Sequence, residues 1–217
     1  MAPPSPAQPS TWLDPLHGTS LVFLATLGVN AVAGSGAFGW PTNHDVSHRY
    51  PTPLTPADWA FGIWGLIFPA QALGLALLLC QPRNGAVRTK AAGAAASLWA
   101  AGWAAESAWQ LCFAQLWFVP CAAILLAGLA AFAAASVRLA AALEGEPLWA
   151  RWLLLTPTTI NAAWLSCASA IGLVMPAVKA GVEVPFAVPA GLLAALSAAG
   201  LAAVVPARPG APAVAWP

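Results

Sequence analysis

Charged residues are scarce in this sequence. Asp, Glu, Lys and Arg make up 7% of the 217 residues, whereas 60% are apolar and the mean hydropathy is +0.75. A water-soluble domain carries about 25% charged residues, which keep its surface hydrated. The shortage therefore excludes an ordinary soluble domain and indicates an all-α integral membrane protein that is solvated by the lipid bilayer.

Two further absences limit the function. The net charge is +1 without a cluster of Lys or Arg, so the chain lacks the basic surface that binds nucleic acid, and we expect no nucleic-acid partner. The sequence also has no Ser-His-Asp set, metal cluster or glycine-rich nucleotide loop. We therefore expect no conventional enzymatic activity and no catalytic residues, and no cofactor is required.

Six apolar runs are long enough to cross roughly 30 Å of hydrocarbon as helices. They lie at about 19–38, 57–80, 91–113, 118–143, 152–175 and 185–205. We therefore predict a transmembrane bundle over 19–205, with disordered tails at 1–18 and 206–217. The Pro-rich, polar stretch 39–55 predicts a loop at the membrane interface, and the Ala- and Leu-rich fourth run is predicted to be scaffold.

Basic residues are divided unevenly between the two sides of this bundle. Six crossings place both termini on one side, together with Arg83, Arg88, Lys90, Arg138, Arg151 and Arg208, against Arg49 and Lys179 opposite. By the positive-inside rule, both termini face the cytoplasm or its topological equivalent. A sixth run that failed to cross would leave five spans and move the C-terminal tail to the other side.

Three of the runs carry aromatic and polar faces. In the second run Phe61, Trp64, Phe68 and Gln71 follow one another at i, i+3, i+7 and i+10, which puts them on one side of a helix. The third run has a similar face, formed by Trp99, Trp103, Glu106, Trp109, Gln110 and Phe113. The fifth has Pro157, Asn161, Trp164 and Ala168. These faces are candidate walls of a ligand site, and ordinary packing of large aromatic side chains is the alternative.

Glu106 is the acidic residue in the middle of an apolar run. An ionisable group at this depth costs about 2.5 kcal/mol or more on insertion scales, so it needs a partner, protonation or a water-filled cavity. In the interfacial loop, His44, Asp45 and His48 have spacings that a metal could use. Two imidazoles and one carboxylate on a loop are a weak signal, however, and we predict no metal site.

Three segments, PTPLTPADWAFGIWGLIF, ESAWQLCF and WLSCAS, resemble the tryptophan-rich sensory protein family, also called the TspO/MBR or translocator protein family. The form WPTN, a short polar loop and then TPADWAFGIWGLIF resembles the longer, divergent branch. The resemblance implies a TspO-like bundle of five transmembrane helices plus a sixth, C-terminal one. Family members bind tetrapyrroles, sterols and synthetic aromatic ligands among their helices. Some have been credited with transport, signalling or light-dependent porphyrin breakdown.

The family motifs fall on the same three faces. Trp64 and Phe68 match the second-helix motif, Trp109 and Phe113 the third, and Trp164 and Ala168 the fifth. Two positions depart from the pattern, because Glu106 and Gly172 stand where the family usually has Asn. A carboxyl group thereby replaces an amide at the implied pocket.

Together these observations predict a membrane-embedded sensor or carrier for a hydrophobic planar ligand such as a tetrapyrrole (haem or another porphyrin) or a sterol. The ligand would lie among the second, third and fifth helices, with Glu106 orienting its polar edge. The alternative is a proton-coupled secondary transporter of a small metabolite that uses Glu106. Small-residue faces on the first, third and fourth helices would also permit a homodimer.

Overall fold

The computed structural model describes residues 14–204, and this part of the chain is helical. The α-helices are α1 Pro15–Gly34, α2 Asn43–Arg49, α3 Trp64–Cys80, α4 Ala86–Ala114, α5 Phe118–Ala142, α6 Leu148–Ala150, α7 Thr156–Lys179 and α8 Ala187–Val204. Short 3-10 turns at Ala37–Gly39 and Asp58–Ile63 precede α2 and α3, and a π-helical turn, Arg151–Leu155, joins α6 to α7. The prediction of an all-α membrane bundle is confirmed.

Within residues 14–204, four segments are long and apolar enough to cross a membrane: Pro15–Gly34, Asp58–Cys80, Phe118–Ala142 and Leu148–Lys179. The 29-residue α4 packs against both α1 and α5, and α8, whose apolar part is shorter, packs against α7 and α5. Large apolar side chains cover the outside, and Leu21, Leu66 and Val119 are 68%, 59% and 71% exposed. Such a surface is stable in lipid and not in water.

One end of the bundle is held by an ion pair and the hydrogen bonds around it. Asp14 caps α1 by accepting from the Leu16 N–H at 2.9 Å, and its other oxygen pairs with the buried Arg88 of α4. Arg88 also donates to three carbonyl groups at the end of α3, those of Leu78, Leu79 and Gln81. These bonds bring the start of α1, the end of α3 and the start of α4 together.

Several boundaries differ from those expected. Helix α1 begins at Pro15, four residues before the predicted 19, because Asp14 caps it and Pro15 suits its first turn. The predicted tails 1–18 and 206–217 lie outside the described residues apart from 14–18. Helix α4 begins at Ala86 and the fifth span at Leu148, earlier than the predicted 91 and 152.

The stretch 39–55 is not a plain loop, because it contains α2. Thr42 and Asp45 form a capping box: the Asp45 N–H donates to the Thr42 hydroxyl oxygen at 3.2 Å, and the Thr42 N–H donates to the Asp45 carboxylate at 2.9 Å. The Thr42 side-chain and backbone hydrogen bonds hold the pKa of Asp45 below its usual value of 3.8. The single buried side chain of this short helix is Val46.

Candidate functional site

A cavity lies at the end of the bundle opposite the Asp14–Arg88 pair. Its empty volume is about 670 Å³, including space open to the surroundings. The lining comes from five parts of the chain, one of which is α2 with the stretch that follows it, residues 43–56, called the α2 segment. The lining residues are Ser47, Tyr50, Thr55 and Pro56 of the α2 segment, Phe61 in the 3-10 turn before α3 and Trp64 in α3, Trp109 and Phe113 in α4, Phe118, Cys121 and Leu125 in α5, and Trp164, Cys167, Ala168, Ile171, Gly172 and Met175 in α7. The wall is mostly apolar and rich in aromatic rings.

The aromatic rings of the wall position one another across helices. Trp164 of α7 meets Trp64 of α3 edge to face, with ring centres 6.2 Å apart, and meets Phe61 in the same way at 6.4 Å. On α4, the rings of Trp109 and Phe113 lie 4.9 Å apart. Edge-to-face and offset contacts are the favoured arrangements of aromatic rings. The cavity is therefore shaped by side chains that restrain each other.

Helix α2 covers one end of this cavity. Val46 is fully buried and packs with Phe113, Phe118 and Met175. Nearby, the Tyr50 ring meets the Phe118 ring edge to face at 5.2 Å. The α2 segment is thus a packed wall, and Ser47 and Tyr50 supply two of the few hydroxyl groups that line the cavity.

The structure brings six of the eleven sequence-predicted ligand residues to the cavity: Phe61, Trp64, Trp109, Phe113, Trp164 and Ala168. Phe68 stacks on Trp64 at 4.9 Å but lines an adjoining open cleft of about 1190 Å³. Gln71 and Trp103 lie deeper, around a small cavity of about 220 Å³. There the Trp103 indole N–H donates to the Gln71 carbonyl oxygen at 3.1 Å.

Glu106 and Asn161 are buried and line none of these three cavities. Glu106 is 3% exposed, and the Asn161 side chain on α7 approaches it from the facing helix. No contact made by either side chain meets hydrogen-bond geometry within the described residues, and the Trp109 indole N–H is equally without an acceptor there. The bundle interior therefore holds unpartnered polar groups beside an aromatic wall, which is uncommon in a folded protein.

Residues of α5 and of the α2 segment were missed from the sequence. Phe118, Cys121 and Leu125 recur at i, i+3 and i+7 and form a wall of the cavity, so the fourth run, which was predicted to be scaffold, also contributes to the candidate site. Their spacing was the available signal, but an apolar stripe equally fits ordinary helix packing. Gly172 of α7 lines the cavity too, where a side chain would collide with Leu125 Cδ1 at 2.7 Å.

Comparison with known proteins identifies one family. The model of the family described as TSPO-like protein matches residues 16–205. No curated protein and no solved structure matches the chain. The match covers nearly all the described residues, including every element that lines the cavity.

Proposed function

Because this chain belongs to the TSPO-like protein family, we propose that it is a membrane-embedded binding protein, a sensor or carrier, for a hydrophobic planar molecule such as a tetrapyrrole or a sterol. The ligand occupies the cavity between α2, α3, α4, α5 and α7. The observation that carries the proposal is that Trp64, Trp109 and Trp164, from three different helices, line a single cavity.

The physical setting explains why aromatic walls matter here. A hydrophobic ligand that enters from the bilayer is already out of water, so burial alone gives it little affinity. The affinity for the cavity over lipid must therefore come from shape complementarity and aromatic stacking. Each aromatic pair adds about 0.5–1.5 kcal/mol beyond burial. A flat, polarizable ligand therefore gains more from this cavity than from lipid, and an aliphatic chain does not.

Polar groups can orient such a ligand. The unpartnered Trp109 N–H is a donor that a carboxylate or carbonyl on the ligand could satisfy. Glu106 precedes Trp109 on α4, and Asn161 precedes Trp164 on α7, each by three residues, which corresponds to about 4.5 Å along a helix. We propose that a ligand whose polar edge extends about 4.5 Å beyond Trp109 along α4 reaches the Glu106 carboxyl group.

The proposal is tested by titrating purified protein with protoporphyrin IX and following the porphyrin absorbance. The combined variant Trp64→Ala, Trp109→Ala and Trp164→Ala should bind about tenfold or more weakly, a loss of about 1.4 kcal/mol or more. The matched control replaces three exposed tryptophans, Trp59, Trp117 and Trp152, by Ala. Unchanged affinity in the cavity variant would reject the site.

A second candidate function, a proton-coupled secondary transporter, is favoured by Glu106 alone. A carboxyl group buried between α4 and α7, with the Asn161 side chain beside it, is what such a transporter could use to carry a proton. In liposomes, protoporphyrin uptake driven by an imposed pH gradient should then be lost in Glu106→Gln, while equilibrium binding persists. Uptake that does not depend on the pH gradient would contradict the transporter function and favour the binding function.

A further inference from the structure

Two histidines and one aspartate meet on the outer side of α2. His44 and His48 lie one turn apart on that helix, and their ring centres are 4.2 Å apart. Asp58 begins the 3-10 turn before α3. Its Oδ1 atom lies 3.3 Å from His44 Nε2 and 2.9 Å from His48 Nε2, and one potential ligand atom from each residue lies within 4.8 Å of the others.

We propose that His44, His48 and Asp58 form a binding site for a divalent transition-metal ion of the Zn²⁺ class. Two imidazole nitrogens and a carboxylate oxygen are ligands that such ions accept. With bonds of about 2.0 Å, two ligands of a tetrahedral Zn²⁺ are about 3.3 Å apart. The His44–Asp58 separation already has this value, the His48–Asp58 separation of 2.9 Å is shorter, and the three ligand atoms lie within 4.8 Å of one another. The side chains must therefore shift to admit an ion.

The backbone that presents the two histidines is fixed before any ion arrives. The Thr42–Asp45 capping box starts α2, and Val46 anchors it in the core. Histidines at i and i+4 share one face of a helix, which is the spacing that places two imidazoles on one metal ion. The loss of side-chain entropy on binding is therefore confined to three side chains.

A carboxylate behind one histidine strengthens the assignment. His44 Nδ1 lies 3.8 Å from Asp45 Oδ1, on the ring edge away from Asp58. A metal-bound histidine usually directs its other ring nitrogen to a carboxylate or carbonyl, which orients the ring and raises its basicity. From the sequence, Asp45 was considered together with the two histidines and no metal site was predicted. In the proposed site Asp45 takes this supporting position, and Asp58, which the sequence did not connect with the histidines, supplies the third ligand.

The site is open to solvent and lies between α2 and the 3-10 turn that precedes α3. The three side chains are 50%, 59% and 64% exposed, so an ion can enter and water can complete its coordination. A bound ion would join α2 to the turn that carries Phe61, which lines the ligand cavity. Metal binding would therefore clamp two walls of the cavity to each other.

Metal binding is tested on full-length protein in detergent, produced without a histidine tag and with its thiols blocked. After treatment with a chelator, Co²⁺ should bind with one equivalent, give visible d–d absorbance and be displaced by Zn²⁺. His44→Gln combined with His48→Gln, and separately Asp58→Asn, should weaken binding about tenfold or more. The matched controls are the exposed His17→Gln and Glu183→Gln.

Two results would overturn the site: a wild-type protein without the Co²⁺ absorbance, or cluster variants that bind as tightly as the controls. In that case the three side chains form only an ion-paired, hydrogen-bonded group. Hydrogen exchange gives a second readout that needs no variant. Zn²⁺ should slow exchange of the α2 amides in wild-type protein, and unchanged exchange would contradict the clamp.

Discussion

The side-chain amides of Asn43 and Gln110 exchange two hydrogen bonds. Asn43 Nδ2 donates to Gln110 Oε1 at 3.1 Å, and Gln110 Nε2 donates to Asn43 Oδ1 at 2.9 Å. Asn43 opens α2, and Gln110 lies in the last turns of α4, where it is 1% exposed. This pair fixes the short helix that closes the cavity to one of the long helices that form its sides.

Asn43→Ala should destabilise the protein because it leaves the buried Gln110 amide without its partner. The expected loss is about 1–3 kcal/mol. Unfolding in a series of SDS and mild-detergent mixtures measures it, with Gln110→Ala and the double variant completing the cycle. The double variant should lose less than the sum of the two single losses. Strict additivity would show that the two amides do not interact.

Gly74→Ala tests the contact between α3 and the π-helical turn. A Cβ atom at Gly74 would overlap the Leu153 carbonyl oxygen, which belongs to the backbone and cannot turn aside. Overpacking of this kind costs about 1–3 kcal/mol or more. The control is Gly65→Ala on the same helix, where a Cβ atom meets nothing within 4 Å. Equal melting temperatures for the two variants would contradict the close approach.

Asp14→Asn keeps a side chain that can cap α1 but removes the charge that faces the buried Arg88. Hydrogen bonds to charged groups contribute about 1.5–3 kcal/mol, and a loss of this size is expected at neutral pH. The unfolding free energies of wild type and variant measure it, with Glu183→Gln as the control for loss of one exposed carboxylate.

The stability difference between wild type and Asp14→Asn should depend on pH. Burial opposes ionisation of Asp14, but the Leu16 N–H and the Arg88 guanidinium outweigh it and hold its pKa below the usual 3.8. The stabilisation is therefore present above 3.8 and is lost as the pH falls through the lowered pKa. The difference between wild type and Asp14→Asn should shrink in that range. A difference that stays constant down to acid pH would exclude the ion pair as its source.

Much of the fold could be predicted because length and apolarity alone define membrane helices. The sequence also contained local signals that explain the shifted boundaries. Asp14 followed by Pro15 marks the start of α1, and Thr42 with Asp45 has the spacing of a capping box. Helix α2 has seven residues, one of them buried, and is held by that residue, Val46, and by the distant amide of Gln110. So short a helix shows no apolar periodicity, and α2 could not be predicted from the apolar pattern.

The candidate site could be predicted only in part for a similar reason. Trp64, Trp109 and Trp164 stand out because indoles beside polar residues are unusual inside apolar runs. Leu125 of α5 does not stand out in the sequence. On an apolar helix, an apolar residue that faces a cavity cannot be distinguished by its sequence from one that packs against a neighbouring helix. His44 in α2 and Asp58 in the 3-10 turn before α3 are separated by a Pro-rich stretch of chain. They come together through tertiary packing alone, so their contact could not be predicted from the sequence.

A planar ligand that binds in the cavity between α2, α3, α4, α5 and α7 should be displaced when a larger side chain fills that cavity. Ala168 lines the cavity, whereas Ala163 lies on the exposed side of the same helix. The measurement is the Kd of protoporphyrin IX for wild type, Ala168→Phe and Ala163→Phe. We expect Ala168→Phe to weaken binding about tenfold or more and Ala163→Phe to leave it unchanged. A folded Ala168→Phe protein that binds protoporphyrin IX as tightly as wild type would show that the ligand does not occupy this cavity.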